Sequence, residues 1–319
     1  MLDTRATLEA RGRIVRAVRA RFDGWGFLEV STPARVRSPG QEVHLDAIPA
    51  GRTDGDAHWL ITSPEYHLKR LVAAGLPRIF EICKCWRAHE SGPHHRTEFT
   101  MLEWYRAGSP LEVLATDCEA LVGVACQVAG RDPFALGLGT PFARTTVREL
   151  FERHAGVSLR GDESPAELQA AAKSAGVDVG AATAWDDIFY QVFLDRIEPA
   201  LARSGPTFVF DWPAPLGALA RPHPLDPRVV ERFELYAGGL ELANAFGELT
   251  DPVEQRRRFE EEAQIRAARG KAVYPIDEAL LAALPRMPPT SGIALGLDRL
   301  IMLAMGARDI SEVQAFQGA

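Results

Sequence analysis

The segment from Arg87 to Tyr105 has residue types and spacing suited to binding a nucleoside triphosphate. Arg87 offers a planar guanidinium that can bind a phosphate through two parallel hydrogen bonds. After a loop rich in glycine, proline and histidine, His95 can reach outer phosphates, and Phe99 offers a ring on which a base can stack. A lone arginine before a loop is usually a surface residue, so the interpretation depends on the string EFTMLEWY that follows the loop.

A second segment, residues 239–248, places Glu241 and Glu248 seven residues apart. Mg²⁺ in proteins prefers one or two carboxylates together with phosphate oxygens. If these two acids converge on a triphosphate, they would hold Mg²⁺. Without a phosphate site nearby, two exposed glutamates are the simpler interpretation.

A third segment, residues 292–299, has the sequence GIALGLDR. Glycines let the backbone approach a ligand closely. Arg299, at the start of a predicted helix, can lie over an adenine ring or pair with a phosphate. Glycine-rich turns from strand to helix are common, so only the three segments together favour an ATP site.

The elements that must position these segments follow from apolar periodicity and from glycine and proline breaks. Predicted helices cover 4–22, 66–74, 111–129, 146–154, 165–175, 185–203, 251–269 and 298–305. Predicted strands cover 26–33, 79–86, 99–105, 207–211, 233–237 and 239–243. Strands without regular alternation with helices predict an α+β protein, in which helices pack on an antiparallel sheet. Residues 109–205 form a predicted helical insertion in a single domain covering 1–319.

Composition limits the class of function. Of the 319 residues, 46% are apolar and 25% charged, as in soluble proteins. No apolar run is long enough for a membrane span or a signal peptide. A net charge of −7 without a basic arm disfavours nucleic-acid binding. The densest basic segment, Arg256 to Lys271, is interleaved with glutamates, which is typical of a solvated helix face; a docking surface for an acidic protein is the alternative.

The four cysteines are too few to indicate a disulfide framework in a chain of this length. Cys83-x-Cys85 has no second Cys/His pair at zinc-site spacing, so a strand face is the simpler interpretation than a metal site. A reducing cytoplasm is therefore expected.

Together the three segments and their order resemble the class II aminoacyl-tRNA synthetases. The segment around Arg87 resembles motif 2, Gly26-Phe27-x-x-Val30-x-x-Pro33 resembles motif 1, and the segments 239–248 and 292–299 complete the match to the three motifs of that family. The resemblance runs from residue 3 to about 316. It implies the class II catalytic domain, a mixed, mainly antiparallel sheet flanked by helices, and a homodimer, because motif 1 lies at the dimer interface in that family.

A narrower resemblance is carried by TSPEYHLKRL, TEFTMLEWYR, GLELANAFGEL and SGIALGLDRL. These strings are similar to lysyl-tRNA-synthetase-like ligases that attach (R)-β-lysine to a lysine of elongation factor P. No anticodon-binding domain is expected before the first helix. Ala294 stands where lysyl-tRNA synthetases have glycine, and one methyl there would shift amino-acid preference by about 1–3 kcal/mol. The resemblance implies ATP and Mg²⁺, elongation factor P as acceptor, and no role for tRNA.

The resemblance also implies roles for individual residues. Arg87 and Arg299 would be catalytic. The substrate would contact Ser63, Pro64, Glu65, Glu103, Tyr105, Asn244, Glu248 and Ala294. ATP would contact Arg87, Ala88, His89, Glu90, His95, Arg96, Phe99, Glu241, Leu242, Gly296 and Arg299. Mg²⁺ would bind Glu241 and Glu248.

The motif 2 loop departs from the family pattern. The family commonly has Arg-x-Glu, whereas here the third residue is His89 and Glu90 follows. Glu90 is expected to take over the contact with the adenine amino group. Arg96 is expected to compensate for a positive charge missing around Pro93. The loop from Ala88 to Thr97 is therefore where ATP contacts would differ from those of relatives.

The expected reaction forms an aminoacyl-adenylate and then an amide on the acceptor lysine. Three alternatives remain open at this point. The chain could charge tRNA, could act on a carrier protein or small amine with the same motifs, or could be a non-catalytic paralogue that binds ATP and amino acid.

Overall fold

The computed structural model describes residues 4–316 and is built around one large sheet. The strands are β1 (Leu28–Glu29), β2 (Arg35–Val36), β3 (Pro49–Thr53), β4 (Asp56–Leu60), β5 (Arg78–Trp86), β6 (Glu98–Ala107), β7 (Ala143–Thr146), β8 (Thr207–Pro213), β9 (Val229–Ala237), β10 (Leu240–Gly247) and β11 (Thr290–Gly296). Eight of them form a sheet in the order β1-β5-β6-β11-β10-β9-β8-β7, and β2, β4 and β3 form a smaller sheet. Among the strand pairs between residues 4 and 316, only the edge pairs β1–β5 and β7–β8 are parallel. The predicted mixed, mainly antiparallel sheet is confirmed.

Helices flank this sheet. They are α1 (Thr4–Gly24), α2 (Glu65–Ala73), α3 (Glu112–Val128), α4 (Val147–Leu150), α5 (Pro165–Ser174), α6 (Trp185–Val192), α7 (Glu198–Arg203), α8 (Pro252–Ala268), α9 (Glu278–Ala283) and α10 (Leu297–Met305). Single π-helical turns cover Phe151–Ala155 and Phe193–Ile197, and 3₁₀ turns cover Ala214–Leu216, Leu284–Arg286 and Ile310–Val313. None of the helices in the described range is long and apolar enough to cross a membrane.

The main core lies between the sheet and helices α1, α3 and α10. Alternate residues of the central strands, such as Leu102, Trp104 and Leu295, are fully buried there against Ile14 and Leu300. Because side chains alternate across a strand, the other residues of the same strands must face the opposite side of the sheet. That opposite side carries the candidate site.

The stretch 109–205 is mostly helical, as predicted, but it also contributes β7 to the sheet edge. Its α3 packs in the main core. Its remaining helices build a second apolar cluster around Phe151, Phe189 and Trp212. Its interpretation as an insertion in a single domain stays a prediction.

Several predicted elements differ in extent or environment. Of the strand predicted over 26–33, only Leu28–Glu29 is strand, and the strand predicted over 233–237 begins at Val229. The strand predicted over 239–243 continues to Gly247, which brings Asn244 and Phe246 into the sheet. Helix α8 carries surface ion pairs, such as that of Arg257 with Glu254 at 2.6 Å, but it is not solvated throughout. Its Arg266 is fully buried, so the predicted solvated helix face is wrong at that position.

Candidate active site

A cavity of about 780 Å³ lies over the sheet face opposite the main core. Two rows of residues cross its floor, because the strand register places their members side by side on β6, β11, β10 and β9. The first row is Glu103, Ala294, Asn244 and Glu234, and the second is Tyr105, Gly292, Phe246 and Arg232. The floor therefore combines acids, one arginine and two very small residues.

A β-bulge in β10 decides which residues reach this floor. The register with β9 shifts between Glu241 and Ala243, so two residues of β10 oppose one of its partner. Strict alternation would put Glu241 and Asn244 on opposite faces. With the bulge, both line the cavity.

Helix α2 supplies the next wall. Ser63 Oγ accepts a hydrogen bond from the backbone amide of Glu65 at 3.1 Å, and Pro64 occupies the N-cap position. Tyr66 and Leu68 are buried and fix the orientation of the helix. Glu65 therefore lies at the first turn, above the sheet floor.

Glu103 is held on both sides by hydroxyl groups. Ser63 Oγ donates to its Oε2 at 2.6 Å and the Tyr105 hydroxyl donates to its Oε1 at 2.7 Å. Only 1% of Glu103 is exposed. Burial and the neighbouring Glu65 raise the pKa of Glu103 well above its ordinary value, against the effect of the two hydroxyls. A cationic group entering the cavity would be stabilised by ionised Glu103.

Glu65 and Glu248 share one internal cation. Lys69 Nζ lies 2.6 Å from Glu65 Oε1 and 2.6 Å from Glu248 Oε2. Lys69 and Glu248 are both 1% exposed. Burial raises the pKa of Glu248, to about 8, and Lys69 opposes that rise. Glu65, Glu103 and Glu248 thus form one acid pocket.

Gly292 is required by close packing in this pocket. A Cβ atom at this position would lie 2.3 Å from Glu248 Oε1 and 2.3 Å from Tyr105 Cε1. Real Cβ atoms do not approach that closely, so only glycine lets the carboxylate and the ring meet over the floor. The reason for a glycine here is packing around the acid pocket, whereas the sequence suggested only close approach to a ligand.

The other end of the cavity carries arginines. Arg87 follows β5, and its guanidinium lies 5.1 Å from the centroid of the Phe99 ring and 3.7 Å from Glu90 Oε1. Its Nε is buried and has no hydrogen-bond partner among residues 4–316. A buried, unsatisfied guanidinium nitrogen is costly, and an anion that reached it would offset that cost.

Arg299 joins the motif 2 loop to β10 at the arginine end of the cavity. Its Nε donates to the backbone carbonyl of His94 at 3.2 Å and its Nη1 to that of Glu241 at 2.6 Å. The preceding Asp298 is 1% exposed and accepts from the backbone amide of Thr100 at 2.8 Å. The start of α10 is therefore anchored to β6, and Arg299 projects over the cavity.

His95 and Arg96, two residues of the motif 2 loop that were predicted to contact ATP, differ in their surroundings. Burial, and to a lesser extent Arg299, lowers the pKa of His95, so near neutral pH it offers a neutral imidazole rather than a positive charge. Arg96 lines the cavity, but it donates to the carbonyl of Gly92 at 2.7 Å and pairs with Asp309 at 3.3 Å. Its charge is thus already shared with an acid of this protein.

Most predicted site residues line this single cavity. They are Ser63, Glu65, Arg87, Glu90, His95, Arg96, Phe99, Glu103, Tyr105, Glu241, Leu242, Asn244, Glu248, Ala294, Gly296 and Arg299. Pro64, Ala88 and His89 do not line it. Pro64 is buried at the start of α2, and His89 is exposed with φ of 66°. That left-handed residue turns the chain so that Glu90, not His89, faces the cavity.

The predicted pairing of Glu241 with Glu248 around one Mg²⁺ does not fit the structure. The two acids lie at opposite ends of β10, roughly 20 Å apart at about 3.3 Å per residue. Glu248 is paired with Lys69, whereas the charge of Glu241 acts on Glu234 across the β9–β10 hairpin. Glu234 is therefore a site residue that the sequence interpretation missed.

Glu234 and Glu241 fit a divalent cation better. Burial raises the pKa of Glu234 to about 7, and the charge of Glu241 contributes further to that rise. Arg232 donates to Glu234 at 2.5 Å and partly offsets the repulsion. Between residues 4 and 316 there is no group of three or more Asp, Glu, His or Cys that would hold a metal alone. Two carboxylates facing a phosphate site are the ligand set expected for Mg²⁺ held jointly with phosphates.

Cys83 and Cys85 are free thiols, with sulfur atoms 3.8 Å apart on β5. Cys85 is buried in a small apolar cluster with Met101. The strand-face interpretation is consistent with this position.

The chain matches the family of class II tRNA synthetases (D, K and N) over residues 2–318. It is 41% identical to the elongation factor P–(R)-β-lysine ligase of Pectobacterium atrosepticum over 98% of this chain and 94% of that protein. The ligase of the same name from Erwinia tasmaniensis is 39% identical over 98% and 94%. That of Klebsiella pneumoniae is 38% identical over 96% and 93%. With a matching family over nearly its whole length and relatives of this identity, the chain belongs to the class II tRNA synthetases of the D, K and N group, in the branch of the elongation factor P–(R)-β-lysine ligases.

Proposed function

We propose that this chain is an ATP-dependent ligase that activates (R)-β-lysine, or lysine, and transfers it to a lysine side chain of elongation factor P. One observation carries the proposal: an acid pocket and an arginine end share one cavity. Glu65, Glu103 and Glu248 suit ammonium groups, and Arg87 and Arg299 suit phosphates. The relatives that carry this name cover nearly the whole chain.

In the first step, an oxygen of the substrate carboxylate attacks the α-phosphorus of ATP. The bond from that phosphorus to the bridging oxygen breaks, and pyrophosphate leaves. Arg87 would bind the α-phosphate and stabilise charge that develops in the transition state, and Arg299 would act from the opposite side. Neutral His95 would donate one hydrogen bond to an outer phosphate. Phe99 offers a face to the adenine ring.

Mg²⁺, when bound, would neutralise phosphate charge during this step. We propose Glu234 and Glu241 as its protein ligands. Both line the cavity and their charges interact, as the raised pKa of Glu234 indicates.

The acid pocket would orient the diamino acid. An ammonium buried without a carboxylate partner would be strongly unfavourable, and Glu65, Glu103 and Glu248 supply such partners. The carboxylate of the substrate would then point towards Arg87. Ala294, between Glu103 and Asn244 on the floor, would limit the room beside the substrate backbone.

In the second step, the neutral ε-amine of the acceptor lysine attacks the adenylate carbonyl. A carbon–nitrogen bond forms, the carbon–oxygen bond to AMP breaks, and the amine loses one proton. No covalent enzyme intermediate is required. The net charge of −7 favours a protein acceptor over tRNA, whose phosphates would be repelled.

We also propose a homodimer and a cytoplasmic location. β1 is an edge strand of the large sheet, and its Leu28 is 52% exposed in the motif 1 segment. Four free cysteines agree with a reducing compartment. Light scattering of the purified protein tests the dimer.

The function itself is tested with the purified protein, ATP, Mg²⁺ and elongation factor P. β-Lysine, α-lysine and norleucine are compared by amino-acid-dependent pyrophosphate exchange, and the acceptor is weighed by intact mass spectrometry. We expect exchange with β-lysine and a mass increase of one residue on elongation factor P. Charging of tRNA without modification of elongation factor P would favour a lysyl-tRNA synthetase, and absence of exchange with retained ATP binding would favour a non-catalytic paralogue.

A further inference from the structure

Lys69 is a buried cation that has no role in the proposed reaction. It is 1% exposed, and its ammonium lies between two carboxylates, at 2.6 Å from each. These carboxylates belong to Glu65, one turn earlier on α2, and Glu248, just beyond β10. Each lines the cavity as well, so each is shared between Lys69 and whatever enters the cavity.

Other charged groups reach this cluster from neighbouring elements. Glu103 on β6 interacts electrostatically with both Glu65 and Glu248. Arg221 acts on Glu248 from the loop before β9, but it is itself paired with Glu231. Glu42 also interacts with Glu65 from the loop after β2, but Arg87 and Arg266 act on Glu42 in turn. Around Lys69 itself, the balance is therefore set by three carboxylates and one ammonium.

With a substrate bound and all three carboxylates ionised, these acids and the one ammonium carry a net charge of two negative units. A diamino acid with both amines protonated carries two positive units apart from its carboxylate, which would bind at the arginine end. The charges of the two substrate ammonium groups and of the pocket would then cancel. A monoamine such as norleucine would leave one buried carboxylate without a cation, which is unfavourable.

We propose that Lys69 is a specificity-determining residue: it holds Glu65 and Glu248 in place and sets the acid pocket to the charge that a doubly protonated diamino acid neutralises. The inference rests on the proposed function. Without a cation between them, two adjacent buried carboxylates would share a proton. That proton would have to leave before an ammonium could bind.

Lys69→Met tests this directly, because methionine has a similar length and no charge. We expect KM for the diamino acid to rise at least about tenfold at pH 7 in pyrophosphate exchange, while kcat changes only a few-fold. Between pH 6.5 and 8.5, log KM should fall with pH more steeply than in the wild type, by up to about one unit per pH unit, because one more proton leaves on binding. Lys84→Met is the control, since Lys84 pairs with Glu98 on the protein surface.

Removing one partner of a buried ion pair can prevent folding, so a second comparison does not depend on Lys69→Met. Glu248→Gln alone leaves the pocket with one net negative charge. Glu248→Gln combined with Lys69→Met restores two. We expect the double variant to have a lower KM for the diamino acid than Glu248→Gln.

Each result has a clear meaning. Exchange without β-lysine or α-lysine dependence in the wild type would contradict the proposed function itself. With a normal wild type, a Lys69→Met variant that is less stable but keeps the wild-type KM and pH slope would limit Lys69 to a structural role. A double variant no better than Glu248→Gln would contradict the charge balance.

Discussion

The backbone amide of Ala88 donates a 2.7 Å hydrogen bond to the backbone carbonyl of Asp46. This bond ties the residue after Arg87 to a loop that lines the cavity with Glu42, His44 and Leu45. The position of Arg87, the proposed phosphate-binding arginine, is therefore coupled to a loop that lies far away in the sequence.

Arg266 fixes that loop from below. It is fully buried and donates to the backbone carbonyls of Glu42 and Leu45, both at 2.7 Å, and to Asp46 Oδ1 at 2.8 Å. Its guanidinium also lies 4.5 Å from the centroid of the Tyr274 ring. Arg266 therefore holds the loop in position. Because the loop is hydrogen-bonded to Ala88, Arg266 also helps to position Arg87.

We expect Arg266→Lys to raise KM for ATP about tenfold or more, because a lysine ammonium cannot reach all the carbonyl and carboxylate oxygens that the guanidinium binds. The free energy of unfolding should also fall, since carbonyls and a carboxylate lose their donor. Pyrophosphate exchange at varied ATP and thermal unfolding measure the two effects. Arg257→Lys, on the exposed face of the same helix, serves as the control. A loss of stability with an unchanged KM would show that the clamp does not reach Arg87.

Arg87→Ala should reduce adenylate formation by at least about 100-fold, the usual scale for removing a donor that stabilises transition-state charge. The fold should persist, because the Ala88–Asp46 bond uses only backbone atoms. Pyrophosphate exchange and thermal unfolding are the measurements. Arg52→Ala, in an exposed strand of the small sheet, provides the comparison. Exchange within a few-fold of wild type would remove Arg87 from the phosphate site.

Local sequence patterns predicted the elements that carry part of the candidate site. The strand predicted over 99–105 is present, and it places Glu103 and Tyr105 on the cavity face and Trp104 in the main core. The helix predicted over 66–74 is likewise present as α2, Glu65–Ala73. Each of these features depends on residues only a few positions apart.

What the sequence did not reveal depends on long-range geometry. Glu234 meets Glu241 because the hairpin turns at Gly238 and Gly239, and its register was needed to see the pair. The bulge after Glu241 has no clear local signature. The burial of Arg266 depends on carbonyls more than 200 positions away, whereas its neighbours in the sequence suggested solvent.

Ala294→Gly should increase the use of α-lysine relative to β-lysine. The methyl group of Ala294 lies on the cavity floor between Glu103 and Asn244, and its removal opens space beside the substrate backbone. A single methyl is worth about 1–3 kcal/mol, or roughly 10–200-fold in the ratio of kcat/KM values. Both amino acids are compared by pyrophosphate exchange. An unchanged ratio would mean that Ala294 does not discriminate between them.

Glu262 should make the stability of the protein depend on pH. It lies partly buried at the cavity edge, where burial, and then the charge of Glu42, raises its pKa to about 8. The folded protein therefore keeps a proton that the unfolded chain loses near pH 4.3. Stability should fall as pH rises between about 4.3 and about 8, because the folded state binds more protons across that window.

Glu262→Gln removes this contribution, since glutamine stays neutral. Its melting temperature should match the wild type near pH 4.5 and exceed it by a few degrees at pH 8.5. Glu260→Gln is the matched control, because Glu260 lies on the exposed side of the same helix and is only 3.9 Å from Arg256. Melting curves across pH 4.5–8.5 distinguish the two. A gap between Glu262→Gln and wild type that does not grow with pH would show that Glu262 is not held protonated.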